Sequence, residues 1–176
     1  MGGTHGMFSA LVPTWYVESI YDLDPDRLWD LGIRGIITDL DNTLVAWNAP
    51  DPDERLLDWV RRVRERGIGV CIASNNGHLR VEAFARHLEV PFLAKARKPL
   101  RRGLRAAMER LGTDTAGTAL LGDQVFTDVL GGNRLGLRTI LVHPIGRREF
   151  FGTRVVRRFE GLVLALFRRQ GKLRKP

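Results

Sequence analysis

Six polar side chains in this sequence follow apolar runs at places where a chain normally turns. Asp39 and Asp41 close the run Gly35-Ile36-Ile37-Thr38, one residue apart, and Asn42-Thr43 follow them. Ser74-Asn75-Asn76-Gly77 follows Ile68 to Ala73. Lys98-Pro99 comes shortly after Val90-Pro91-Phe92-Leu93, and Gly122-Asp123 with Asp128 follows Gly117 to Leu121. Four carboxylates brought into one cleft would repel one another and raise one another's pKa values. A cation among them removes that cost. Oxygen ligands without His or Cys favour Mg²⁺ over zinc. A Mg²⁺ held by few protein ligands keeps waters and shares a phosphate. A lysine and a serine hydroxyl beside backbone N–H groups bind that phosphate. The set therefore points to phosphoryl chemistry, with one of the paired aspartates as nucleophile.

For these groups to meet, the apolar runs must lie side by side. Residues 33–39, 68–73, 90–93, 117–122 and 137–143 read as buried strands. Between them, residues 78–88, 99–111 and 125–135 read as helices. Asp51-Pro52-Asp53-Glu54 predicts a further helix start, with an aspartate cap, proline in the first turn and acids at the positive end. That helix runs to about Arg66 and stops at Gly67. Alternating strands and helices predict an α/β fold with a parallel sheet covered by helices. Ligands in such sheets bind at the carboxyl ends of strands, where all six side chains fall.

The 176 residues suit one domain with a sizeable core, and no apolar run approaches the length of a membrane span. The single cysteine, Cys71, excludes an internal disulfide and reads as core inside its strand. The N-terminal stretch has no basic region of a secretory signal, so a cytoplasmic location is expected. The net charge of +8 is unevenly placed: residues 1–146 hold 18 basic and 18 acidic side chains, and residues 147–176 hold 10 and 2. The body is neutral and the tail carries the excess. Residues 1–146 contain two lysines, Lys95 and Lys98, in a chain that otherwise uses arginine.

Taken in order, Asp39-x-Asp41-x-Thr43, Ser74, Lys98 and Gly122-Asp123-x4-Asp128 resemble the four motifs of the haloacid dehalogenase (HAD) superfamily. The finer strings "DLDNTL", "SNN", "KP" and "GDQVFTDVLGGN" resemble the YqeG family of HAD subclass IIIA phosphatases. That family is related to the phosphatidylglycerophosphate phosphatases of mitochondria and plastids. The resemblance covers roughly residues 12–160. It implies a Rossmann-like three-layer sandwich. It also implies that Asp39 forms an aspartyl-phosphate and that Asp41 serves as acid and base, with Leu40 between them turned away. Thr43, Ser74, Asn75 and Lys98 would contact the phosphate. Asp39, the Asp41 carbonyl, Asp123 and Asp128 would surround Mg²⁺. Lys98 is preferred to Lys95 because Ala96-Arg97-Lys98-Pro99 matches the family's Ala-x-Lys-Pro. Taken singly, Ser74-Asn75-Asn76-Gly77 is also a turn and helix cap, and Asp123 and Asp128 would also serve as caps.

The intervals between motifs bear on substrate. Asp41 to Ser74 spans 33 positions and Ser74 to Lys98 spans 24, each used up by the elements already assigned. Neither holds a cap domain, so an open site is expected. Open sites suit a substrate that brings its own bulk: an anionic lipid head group, a nucleic-acid end or a phosphoprotein. Phosphatidylglycerophosphate is the leading expectation. A nucleic-acid end or phosphoprotein, or a catalytically silent binding module, is the alternative. Beyond a core over residues 1–150, residues 151–176 form a basic amphipathic segment. Val155, Val156, Phe159, Leu162, Val163, Leu166 and Phe167 share one helical face, with arginines flanking it. Packing on the body is favoured for that face. The remaining basic residues suit peripheral contact with the inner face of a membrane, with nucleic acid as the alternative partner. Residues 7–20, with Trp15 and Tyr16, are read as a membrane contact or as cover for the sheet.

Overall fold

A computed structural model describes residues 9–146, 161, 165, 167–169 and 171–176. Among them, six strands form one parallel sheet: β1 (Trp15–Val17), β2 (Gly35–Thr38), β3 (Gly69–Ala73), β4 (Phe92–Leu93), β5 (Thr118–Gly122) and β6 (Arg138–Val142). Their spatial order is β1-β6-β5-β2-β3-β4. The helices are α1 (Pro25–Asp30), α2 (Glu54–Glu65), α3 (His78–Leu88), α4 (Arg101–Leu111) and α5 (Leu130–Leu135), with a π-helical segment at Val125–Val129 before α5.

The central strands β2 and β5 are buried on both faces, and side-chain alternation divides the sheet between two layers. Ile36, Val70, Ile72, Ala119, Leu121, Ile140 and Val142 pack with the apolar faces of α2 and α3. Ile37, Cys71, Ala73 and Leu120 pack with Leu104 and Ala107 of α4. The result is the expected three-layer α/β sandwich. In α2, Leu56, Trp59, Val60 and Val63 are buried at the i, i+3, i+4, i+7 spacing of one helical face. A fully buried isoleucine such as Ile36 or Ile37 contributes roughly 1.5–3 kcal/mol. Burial also pushes the Cys71 thiol up to about 11, so it is protonated and unreactive at neutral pH.

Several boundaries differ from expectation. The cap of α2 is Asp53, whose carboxylate accepts from the Leu56 N–H at 2.8 Å, so Asp51 and Pro52 lie before the helix. α4 begins at Arg101 rather than at Pro99. The expected helix at 125–135 opens with the π-helical segment. Trp15–Val17, within the stretch read as a membrane contact or as cover for the sheet, forms a strand paired with β6. α1 was not anticipated, although Asp24 and Pro25 carry its signal: the Asp24 side chain accepts from Arg27 N and Pro25 sits in the first turn.

Residues 39–53 between β2 and α2 form turns, and α3 alone lies between β3 and β4, so neither interval contains a cap domain. Most of the amphipathic tail face lies outside the described residues. Phe167 is described. It is 1% exposed and packs with Leu11, Val125, Val129 and Leu141. No helix among the described residues is long and apolar enough to cross a membrane.

Candidate active site

The sheet sets the location. From β2 the chain proceeds to β3 and β4 on one side, and then to β5 and β6 on the other. Connections therefore diverge between β2 and β5 and open a crevice at their carboxyl ends. Thr38 is in register with both Ile72 of β3 and Leu121 of β5. The residues that follow these strands, Asp39, Ser74 and Asp123, consequently emerge at one level. The Asp39 N–H donates to Leu121 O at 2.9 Å, which extends the ladder to the first carboxylate.

Three buried carboxylates meet there. Asp39, Asp123 and Asp128 each offer an oxygen, and these oxygens lie within 4.8 Å of one another. Asp128 reaches them from the π-helical segment, where the Val129 N–H donates to Gln124 O. Its Oδ2 accepts from Gln124 N at 3.1 Å and from Thr127 Oγ1 at 3.3 Å. Gly122 makes room for it: a Cβ at that position would lie 2.2 Å from Asp128 Cγ. The Thr43 hydroxyl, assigned by resemblance to phosphate contact, donates to Asp123 Oδ1 at 3.3 Å.

Lys98 supplies the opposing charge. Its Nζ lies 3.0 Å from Asp39 Oδ1 and 2.7 Å from Asp128 Oδ1. The buried ammonium therefore bridges the two carboxylates at charge-assisted hydrogen-bond distance. Burial works to lower the Lys98 pKa, but Asp128 and Asp39 outweigh it and hold the ammonium above its ordinary value. Burial drives the Asp128 carboxyl above the usual range; Lys98 opposes that rise and Asp39 adds to it. Three buried carboxylates within 4.8 Å of one another, with no nitrogen or sulfur ligand among them, fit a hard divalent cation. Lys95, by contrast, is exposed.

The remaining candidates position one another. Ser74 Oγ accepts from Asn76 N at 3.1 Å, a bond that leaves the hydroxyl proton free to be donated. The Asn75 side chain clamps the lysine loop, receiving Lys98 N at 2.8 Å and donating to Lys98 O at 3.1 Å. Asp41 stands outside the three-carboxylate group. Its Oδ1 accepts from Arg80 Nε at 2.8 Å and its Oδ2 from Asn76 Nδ2 at 2.9 Å. Leu40 is fully buried in the core, so the two aspartates do face away from it. His78 pairs with Glu82, and His87 lies against Asp51, away from the crevice.

Arg80 was missed by the sequence reading. It also donates to Ala49 O at 3.0 Å and Ala46 O at 3.3 Å, which ties Asp41 to the turns after β2. One sequence signal was available. Arg61 and Arg86 have carboxylates three or four residues away on their own helices, whereas Arg80 has none. Arg80→Met should lower kcat for an alkyl phosphate by roughly 10–100-fold, the cost of a misplaced catalytic group. Steady-state kinetics beside a thermal melt separates this from simple loss of folding.

Comparison with known proteins agrees with this geometry. A family model described as haloacid dehalogenase-like hydrolase matches residues 36–96, and one described as HAD-hydrolase-like matches residues 95–144. The chain is 41% identical over 162 residues to the probable phosphatase YqeG of Bacillus subtilis, covering 92% of this chain and 94% of that protein. It is 28% identical to phosphatidylglycerophosphate phosphatase 1, chloroplastic/mitochondrial, of Arabidopsis thaliana. That match covers 92% of this chain and 49% of the relative, so the chain spans about half of that protein. Among solved structures, the cobalt-bound deoxy-D-mannose-octulosonate 8-phosphate phosphatase of Haemophilus influenzae superposes with a TM-score of 0.52 at 17% identity. The superposition covers 63% of this chain and 68% of that one, and it supports the fold. With 41% identity along nearly its whole length and two HAD models matched end to end, the chain belongs to the YqeG family of haloacid dehalogenase-like phosphatases.

Proposed function

We propose that the protein is a Mg²⁺-dependent phosphomonoesterase that works through an aspartyl-phosphate on Asp39, with phosphatidylglycerophosphate as substrate. The observation that carries the chemistry is the buried Lys98 ammonium between Asp39 and Asp128, beside Asp123. Asp39, Asp123, Asp128 and the Asp41 carbonyl would hold the cation, which neutralises phosphate charge when bound. An Asp39 oxygen attacks phosphorus as the ester P–O bond breaks, and Asp41 gives its proton to the leaving oxygen. Water then attacks the acyl-phosphate. Asp41 takes the water proton, and Asp39 is released with inorganic phosphate. Lys98 stabilises charge on the phosphoryl oxygens, and the Ser74 hydroxyl and Asn75 N–H orient them.

The lipid assignment draws on the Arabidopsis relative and on the absence of a cap over residues 39–98. The exposed Lys172, Arg174 and Lys175 suit a peripheral site at an anionic membrane surface. The test is release of inorganic phosphate from phosphatidylglycerophosphate in mixed micelles, with and without Mg²⁺. Release only with Mg²⁺ is expected. An enzyme that left this lipid intact while hydrolysing another phosphate ester would require a different substrate.

A further inference from the structure

Val142, His143 and Pro144, at the end of β6, border two cavities that both reach the site residues. One, of about 560 Å³, touches Thr43, and the other, of about 550 Å³, touches Asp123. Both are large enough for a small-molecule leaving group. Their charges differ. The Thr43 cavity is lined by Glu18, Asp51 and Asp53 against one guanidinium, Arg55, which stacks over Tyr21 at 3.8 Å. Its carboxylates would repel an anion. The Asp123 cavity carries Arg168 and Arg169 on a wall that includes Leu141, Pro144 and Ala165. The buried Phe167 anchors this arginine pair, since it packs against Leu141 and Val125 immediately before them. Tyr16 orients one of them: Arg168 Nη2 donates to the Tyr16 hydroxyl at 3.4 Å, with its guanidinium 5.7 Å from the ring.

We infer that the Asp123 cavity receives the leaving group of the substrate, and that Arg168 and Arg169 bind a second anion carried by that group. The inference rests on the phosphatase reading above. It identifies the second anion as a phosphodiester, one glycerol unit from the phosphate that is cleaved. Guanidinium forks recognise phosphate oxygens by paired, charge-assisted hydrogen bonds, and two of them beside an apolar wall suit a diester with a glycerol or glyceride body. The arginines thus act inside the substrate pocket and give the enzyme its preference for this head group over a simple phosphomonoester.

The test uses two water-soluble substrates, so no membrane takes part. One is the deacylated head group, glycerophosphoglycerol phosphate, which contains the diester. The other is glycerol 3-phosphate, which lacks it. The wild type should favour the first in kcat/KM. In Arg169→Gln and in the Arg168→Gln/Arg169→Gln double variant, that preference should fall about tenfold or more, mainly through KM. Arg169→Glu should lower it further, and Arg55→Gln, in the acidic cavity, should keep the wild-type ratio. An unchanged ratio in the double variant, with both esters still cleaved, would overturn the subsite and leave the phosphatase reading standing. No wild-type preference for the diester would also overturn it. Lost sedimentation with phosphatidylglycerol vesicles, without a change in ratio, would assign the pair to the membrane surface instead. If the wild type cleaved neither soluble ester nor micellar phosphatidylglycerophosphate, the lipid-phosphatase reading and the subsite would fall together.

Discussion

Asp39→Asn should abolish turnover, with phosphate release falling on the order of 10⁴–10⁶-fold, the scale of removing a nucleophile. The amide has nearly the shape of the carboxylate but cannot form the acyl-phosphate. The fold should survive. Lys98 loses one anion at 3.0 Å but keeps Asp128 at 2.7 Å, and the crowding of three buried carboxylates is relieved. The measurement is phosphate release with an aryl phosphate, whose good leaving group minimises the need for Asp41. A thermal melt is recorded alongside. More than about 1% residual activity in a folded variant would remove Asp39 as nucleophile, since positioning alone cannot replace the missing covalent step.

Lys98→Met should damage both catalysis and stability. Its Nζ contacts two buried carboxylates, one of which burial already holds above its ordinary pKa. Removing one side of a buried ion pair costs about 3–5 kcal/mol, because the partner charges stay behind. For a chain of this size that lowers Tm by roughly 6–20 °C. A divalent cation should restore part of the loss, because it binds the folded carboxylate group and gains affinity once the competing ammonium is gone. The added Mg²⁺ should therefore raise Tm more in Lys98→Met than in the wild type. Scanning calorimetry with and without Mg²⁺ decides this. A Tm within about 2 °C of wild type would mean that the ammonium is not needed to hold these carboxylates in place. Phosphate release should fall about 10²–10³-fold with Mg²⁺ present, the range for losing one electrostatic stabiliser.

The residues at the carboxyl ends of β2, β3 and β5 were legible because those strands are buried on both faces and read as unbroken apolar runs. Once the strands were placed, parallel register brought Asp39, Ser74 and Asp123 together. Other features depended on contacts that a sequence does not display. Asp51 and Asp53 both flank Pro52, and only geometry selects Asp53, which reaches the Leu56 N–H. Trp15–Val17 has strand-like residues but is too short to show a period. The segment around Asp128 reads as ordinary helix, because the one-residue expansion of a π turn leaves the apolar pattern nearly intact. Arg80 and Asp41 lie 39 positions apart, and their pairing becomes visible only when α3 stands beside the turns after β2.

The pairing of β1 with β6 has a consequence for synthesis. Among the described residues β1 pairs with one strand, β6, and Thr14 and Thr139, which exchange hydrogen bonds at its start, are separated by 125 positions. At about 5–20 residues per second, β1 leaves the ribosome roughly 6–25 s before that partner exists. Through that interval Trp15, Tyr16 and Val17 have no strand to join. The middle of the sheet, β2 with β3, can assemble first, and closure of the β1 edge must be a late event. A nascent chain stalled before residue 138 would therefore present an aromatic segment to chaperones, and release of that segment would report closure of the β1–β6 edge.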